Sequence, residues 1–198
     1  MVRTGGGRLT RRSLRLPVRL LTTASLTAGL CAGLPATPAL AACGDDPDTV
    51  GSVDGAVLTY VLHTKYTAEW DRARAEWNAL GRVDIRPEAG TDAGTGTGTK
   101  GKDTAYADVD ASDIDRDDVG WSGMWESHDL GSDDIILNDH FLKDYSADTR
   151  RGVVTHELGH ALRLGHRTAS GAVMYCDDTR TAIAPSDLDI TAYRAIWG

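Results

Sequence analysis

The chain has 198 residues, with 29 acidic against 21 basic and a formal charge of −8. That length holds one domain of ordinary size. The acidic balance excludes partners that need a basic face, nucleic acid and anionic membrane surfaces among them.

Residues 1–42 differ from the rest. They carry six arginines (Arg3, Arg8, Arg11, Arg12, Arg15 and Arg19) and no acidic residue. An apolar stretch from Leu20 to Leu34 follows, then Pro38-Ala39-Leu40-Ala41-Ala42. A basic start, a short apolar run and small residues at the exit read as a removable export signal, not a membrane span. Thr10-Arg11-Arg12-Ser13-Leu14 has the look of a twin-arginine signal. Without these residues the chain keeps 15 basic and 29 acidic residues, a formal charge of −14. The expectation is a monomeric, secreted, single domain over 43–198, rich enough in carboxylates to hold calcium. Of the cysteines, Cys43 and Cys176 remain after the signal. In an exported protein they pair most simply with each other. Leu40-Ala41-Ala42-Cys43 also reads as a lipoprotein box, which would anchor Cys43 by lipid at the cell surface. Both readings stand at this point.

From 43 to 55 the chain is polar and without periodicity. Ala56–His63 is a β-rich apolar run. Thr67–Leu80 predicts a helix, with Thr67 as N-cap, Trp70, Ala73 and Trp77 on one face, and Gly81 as its stop. Arg82–Arg86 is a short strand. Residues 89–102 are Gly/Thr-rich and read as a flexible surface insertion. Asp103–Asp110 alternates as a strand does. Asp113, Asp115, Asp117 and Asp118 read as a solvated acidic loop in preference to a calcium site, because no EF-hand spacing is present. Val119–Trp125 and Asp134–Asn138 are further strands. A helix starts at Ser146 or Ala147 and runs through the histidines. Ser186 caps a closing helix whose apolar residues are Leu188, Ile190, Tyr193 and Trp197. The order is that of a mixed α+β domain without repeats.

His156 and His160 are four apart on this helix, so their rings leave the same face. Val154, Leu158 and Leu162 lie on the opposite side, for the core. Two imidazoles so placed can share one Zn²⁺ at about 2.0–2.1 Å. Glu157 is turned about 100° away, too far aside to complete the shell but able to reach a water beside it as general base. A catalytic zinc takes three protein ligands, and His166, past a turn at Arg163–Gly165, is the third candidate.

His156-Glu157-Leu158-Gly159-His160-Ala161-Leu162-Arg163-Leu164-Gly165-His166, followed by Ser170-Gly171-Ala172-Val173-Met174-Tyr175, resembles the metzincin peptidases, and among them the matrixins. The resemblance implies a mixed, mostly parallel twisted sheet with an antiparallel edge strand, an active-site helix and a C-terminal helix. It implies that Met174 forms the methionine turn beneath the metal, and that Asp134–Asn138, with Ile135, Ile136 and Leu137, is the edge strand receiving substrate. One departure stands out. The family has glycine where this chain has Arg163, a position that takes left-handed backbone at a cost of roughly 1 kcal/mol for other residues. Gly165 is expected to share that turn. The reading is a zinc-dependent endopeptidase that hydrolyses extended polypeptides with Glu157 as base. The alternative is an inactive zinc-binding module, secreted or lipid-anchored. His63, His128 and His140 lack ligand spacing and read as surface residues.

Overall fold

The structure, a computed structural model, describes residues 45–46, 50–89 and 106–198. The expected export signal, Cys43 and all but the first residue of the 89–102 insertion lie outside the described residues. The elements are β1 (Val57–His63), α1 (Thr67–Asn78), β2 (Asp84–Pro87), β3 (Val109–Ile114), β4 (Gly123–Glu126), β5 (Asp133–Asn138), α2 (Asp139–Leu142), α3 (Ala147–Ala161) and α4 (Asp187–Trp197). This is an α+β domain. Its sheet runs β2-β1-β3-β5-β4. All neighbours are parallel except β4 and β5, which are antiparallel. Among the described residues no helix is long and apolar enough to cross a membrane.

Period-2 burial makes the strands. Leu58, Tyr60 and Leu62 of β1 point into the core, as do Val109 and Ala111 of β3 and Ile135 and Leu137 of β5. On α1, Trp70, Ala73 and Trp77 are fully buried. Trp70 meets Tyr60 edge-on at 5.2 Å, and the Trp77 indole donates to the Thr155 carbonyl at 3.0 Å, tying α1 to α3.

Several expectations are corrected. Asp134–Asn138 is not the edge. β5 lies between β3 and β4, with Ala111 opposite Ile135 on one side and Trp125 opposite Ile135 on the other. The edge strand is β4, and Ile135 and Leu137, both at 0% exposure, belong to the core. Ile136 is half-buried opposite Met124. Thr67 is not the N-cap of α1. Tyr66 holds that place, and its N–H donates to the Thr64 hydroxyl at 3.0 Å. Of the strand expected over Asp103–Asp110, residues 103–105 lie outside the described residues, and the strand that pairs with β1 and β5 spans Val109–Ile114. On α4, Leu188 is 52% exposed while Asp189 and Tyr193 are buried. The helix is turned so that a carboxylate, rather than a leucine, meets the segment before it.

Candidate metal centre

Helix α3 begins where expected, with the Ser146 hydroxyl accepting the Thr149 N–H at 3.1 Å. Its residues from Gly152 to Gly159 are buried, because it is enclosed by α1 on one flank and β4 on another. It ends at a turn with two hydrogen bonds, Arg163 N–H to the His160 carbonyl (2.8 Å) and Leu164 N–H to the Gly159 carbonyl (3.0 Å). That pair is the Schellman pattern, with Arg163 in the left-handed position at φ 76°. Gly165 does not share the unusual dihedral, since its φ is not positive. The strain at Arg163 is offset around it. The Ala161 carbonyl accepts from the Ser52 N–H at 2.8 Å and the Leu162 carbonyl from the Trp197 indole at 3.1 Å. The Arg163 guanidinium lies 5.9 Å from the centre of the Trp197 ring.

The turn returns His166 to the other two histidines. Ring centres are 4.7 Å apart for His156 and His160, 4.8 Å for His160 and His166, and 5.3 Å for His156 and His166. Each Nδ1 has an acceptor: the Val173 carbonyl for His156 (2.8 Å), the Leu164 carbonyl for His160 (2.8 Å) and Asp46 Oδ2 for His166 (2.6 Å). An acceptor at Nδ1 places the proton there and leaves Nε2 with a bare lone pair. Nε2 of His156 and Nε2 of His160 then face each other at 3.1 Å. Two lone pairs at that distance repel unless a cation lies between them. Tetrahedral zinc at about 2.0–2.1 Å spaces its nitrogen ligands by roughly 3.3–3.4 Å, so this pair fits that ion, and a ligand nitrogen of His166 lies within 4.8 Å of both. Among the described residues these three histidines are the one such group able to hold a metal. Burial holds His156 well below the ordinary histidine range, with Arg180 adding to the effect, and takes His160 down to about 4. Both rings are therefore neutral at neutral pH, as metal ligands must be.

Glu157 lies beside the triad. Burial pushes its carboxyl up to about 8, with Arg180 and the Trp125 N–H, which donates to it, pulling the other way. A cation at the triad favours the carboxylate further. Gly123 of β4 makes this approach feasible. A Cβ there would lie 2.7 Å from Glu157 Oε1 and 2.7 Å from Val153 Cγ1. Gly159 acts similarly on the other side, since a Cβ on it would run into Met174 Sδ. Met174, fully buried, sits against the histidine helix at Gly159.

A cleft of about 720 Å³ opens over His156, Glu157, His160 and His166. One wall is Gly120–Trp125, and the other includes Tyr145, Thr149 and Cys176–Arg180. Cys176 is disulfide-bonded, and Cys43, the partner expected for it, lies outside the described residues.

The remaining candidates are dispersed. His63, His128 and His140 face Asp110, Asp134 and Asp115 singly. Asp113 accepts from Thr64 and from the Lys65 N–H, and Asp118 pairs with Arg116.

Residues not singled out in the sequence also build this site. Trp125 supplies an N–H to Glu157 and a ring stacked at 6.3 Å from His160. Asp46 partners His166. Buried Asp189 accepts the N–H groups of Val173 (2.9 Å), Met174 (3.2 Å) and Ser186 (2.8 Å), fixing the methionine turn whose Val173 carbonyl orients His156. Ser186 followed three residues later by Asp189 is a capping signal; its second use is not visible in the sequence.

No family model matches the chain, and no curated protein matches it. Solved structures similar to it include the ECX AB5 holotoxin in its GM1-bound form, at 16% identity over 72% of this chain and 80% of that chain (TM-score 0.48). Two others are an archaemetzincin from Methanopyrus kandleri, at 15% identity over 73% of this chain and 97% of that one (TM-score 0.47), and a zinc-dependent peptidase from Methanocorpusculum labreanum, at 15% over 72% and 100% (TM-score 0.42). With TM-scores below 0.5, these likenesses add no weight to the geometry of the site.

Proposed function

We propose that the chain is an exported zinc-dependent endopeptidase of matrixin-like type. One observation carries the reading: three imidazoles with their Nδ1 protons committed elsewhere bring ligand nitrogens within 4.8 Å of one another, beside a buried carboxylate and under an open cleft. His156, His160 and His166 would hold the ion, and when bound, zinc acts as a Lewis acid that acidifies water and polarises a carbonyl. Glu157 accepts the proton of the attacking water and returns it to the leaving amine. Its high affinity for a proton in a buried setting suits both halves of that transfer. Trp125 fixes the carboxylate by its N–H, and Glu157 is itself buried at the base of the cleft.

The edge strand offers the means of holding an extended peptide. In an antiparallel strand the backbone groups of alternate residues face the same side. The Trp125 N–H faces Glu157, so the N–H and carbonyl of Gly123 face the cleft as well. A substrate strand can add there by backbone pairing. The segment 176–180 bounds the pocket on the far side of the metal. The composition of residues 1–42 supports export, by which the mature protein is secreted.

The test combines metal analysis with peptide-library cleavage. The chain should retain zinc, lose activity to a chelator and recover it when zinc is restored. Glu157→Gln should keep the metal and lose roughly 10²–10⁴-fold in turnover; a variant that keeps zinc and full activity overturns the assignment.

A further inference from the structure

The three histidines are not oriented alike. His156 and His160 give their Nδ1 protons to backbone carbonyls within the folded body, those of Val173 and Leu164. His166 gives its proton to a carboxylate 120 residues earlier, Asp46, at 2.6 Å. That contact is the centre of a clamp. The Asp46 N–H donates to the His166 carbonyl at 3.3 Å, Arg167 Nη1 donates to the Asp46 carbonyl at 3.4 Å, and the Thr168 N–H donates to Asp45 Oδ1 at 2.9 Å. Two consecutive aspartates therefore grip three consecutive residues of the turn that presents the third imidazole. His166 needs this more than its companions do. It lies beyond the helix that fixes the other two, and its side chain is 32% exposed.

Resting on the zinc reading above, we propose that Asp46 is a positioning residue for His166, holding its Nε2 on the shared point and making metal retention depend on the segment at 45–46. The chemistry is that of a carboxylate on the far nitrogen of a ligating imidazole: it fixes the tautomer, sets the ring plane and makes Nε2 a better donor. Loss of such a partner typically weakens metal binding by about 10–100-fold. Asparagine at 46 keeps an acceptor and loses the charge, and alanine loses both.

The test is zinc competition against a chromophoric chelator, using the full chain, with the visible spectrum of the cobalt-substituted protein as a second readout. Asp46→Ala should raise the zinc dissociation constant by about 10–100-fold and Asp46→Asn by less, each with an altered cobalt spectrum. In a His166→Ala background, Asp46→Ala should have no further effect on zinc affinity. If the wild-type chain binds no zinc, the reading of the metal centre itself falls. Wild-type binding with both Asp46 variants unchanged overturns the role of Asp46. So does an equal loss with and without His166, which would mean that Asp46 acts elsewhere.

Discussion

Gly123→Ala places one methyl group between the edge strand and the histidine helix α3. The added carbon would sit 2.7 Å from Glu157 Oε1, 2.7 Å from Val153 Cγ1 and 2.9 Å from Glu157 Cγ. Carbon contacts relax at about 3.5–4.0 Å, so the strand and the carboxylate must separate by roughly 1 Å. Val153 is 1% exposed and the body of Glu157 is walled in, so the side chain has little room to swing. Local strand propensity argues the other way, because alanine loses less backbone entropy than glycine by roughly 0.5–1 kcal/mol. Overpacking of this kind costs typically about 1–3 kcal/mol, and the packing term wins. The larger effect falls on chemistry: a displacement of about 1 Å at a reacting group can cost on the order of 10²-fold in rate. The expected outcome is a fall of about that size in kcat/KM on a peptide library, with zinc content unchanged, since the three nearest neighbours of the new methyl belong to Glu157 and Val153 and not to the imidazoles. Cleavage within threefold of wild type, with Glu157 undisturbed, would refute the account of how β4 and the carboxylate share space.

Other perturbations follow from the same contacts. Gly159→Ala drives a methyl into Met174 Sδ and within 3.3 Å of Trp77, and should destabilise by about 1–2 kcal/mol despite alanine's better helix propensity; a higher melting temperature would contradict the packing described. Asp189→Ala strips the acceptor from the Val173, Met174 and Ser186 N–H groups, costing about 3 kcal/mol or more, and calorimetry should show a fall of roughly 6–12 °C. A fall of less than 2 °C would remove Asp189 from its role. In the metal-free protein His160 is held down to about 4 against an ordinary 6.5. Its folded pKa is depressed, so the unfolded chain binds more protons in that window, and stability should decline as pH falls from about 6.5 to about 4. Chemical denaturation of the chelator-treated protein across that range checks the sign.

Local signals carried the histidine helix. His156, Glu157 and His160 share one turn, the Ser146 cap precedes them by a readable interval, and Met174 follows close behind. The cost assigned to Arg163 is likewise local, and its φ of 76° agrees with it. Partnerships across the fold were less legible. Which strand forms the edge is decided by sheet order, and DIILN has a continuous apolar run that GMWE lacks because it packs between two neighbours, whereas β4 is four residues long with a glycine at its start. An interior strand is a better strand by composition than the edge strand that borders the cleft. Asp46 and His166 are 120 residues apart, a distance at which spacing rules say nothing, and Asp189 announces a cap while also serving a turn it cannot name.

The N–H that Trp125 yields to Glu157 has a further consequence for the company the sheet keeps. Open sheet margins invite other chains to extend the ladder indefinitely, and proteins blunt them to avoid clumping. Here one rung is already spent on a carboxylate, and the strand ends after four residues. A brief guest would find enough to hold, while a second copy seeking a long continuous pairing would meet a gap at the third residue of the strand.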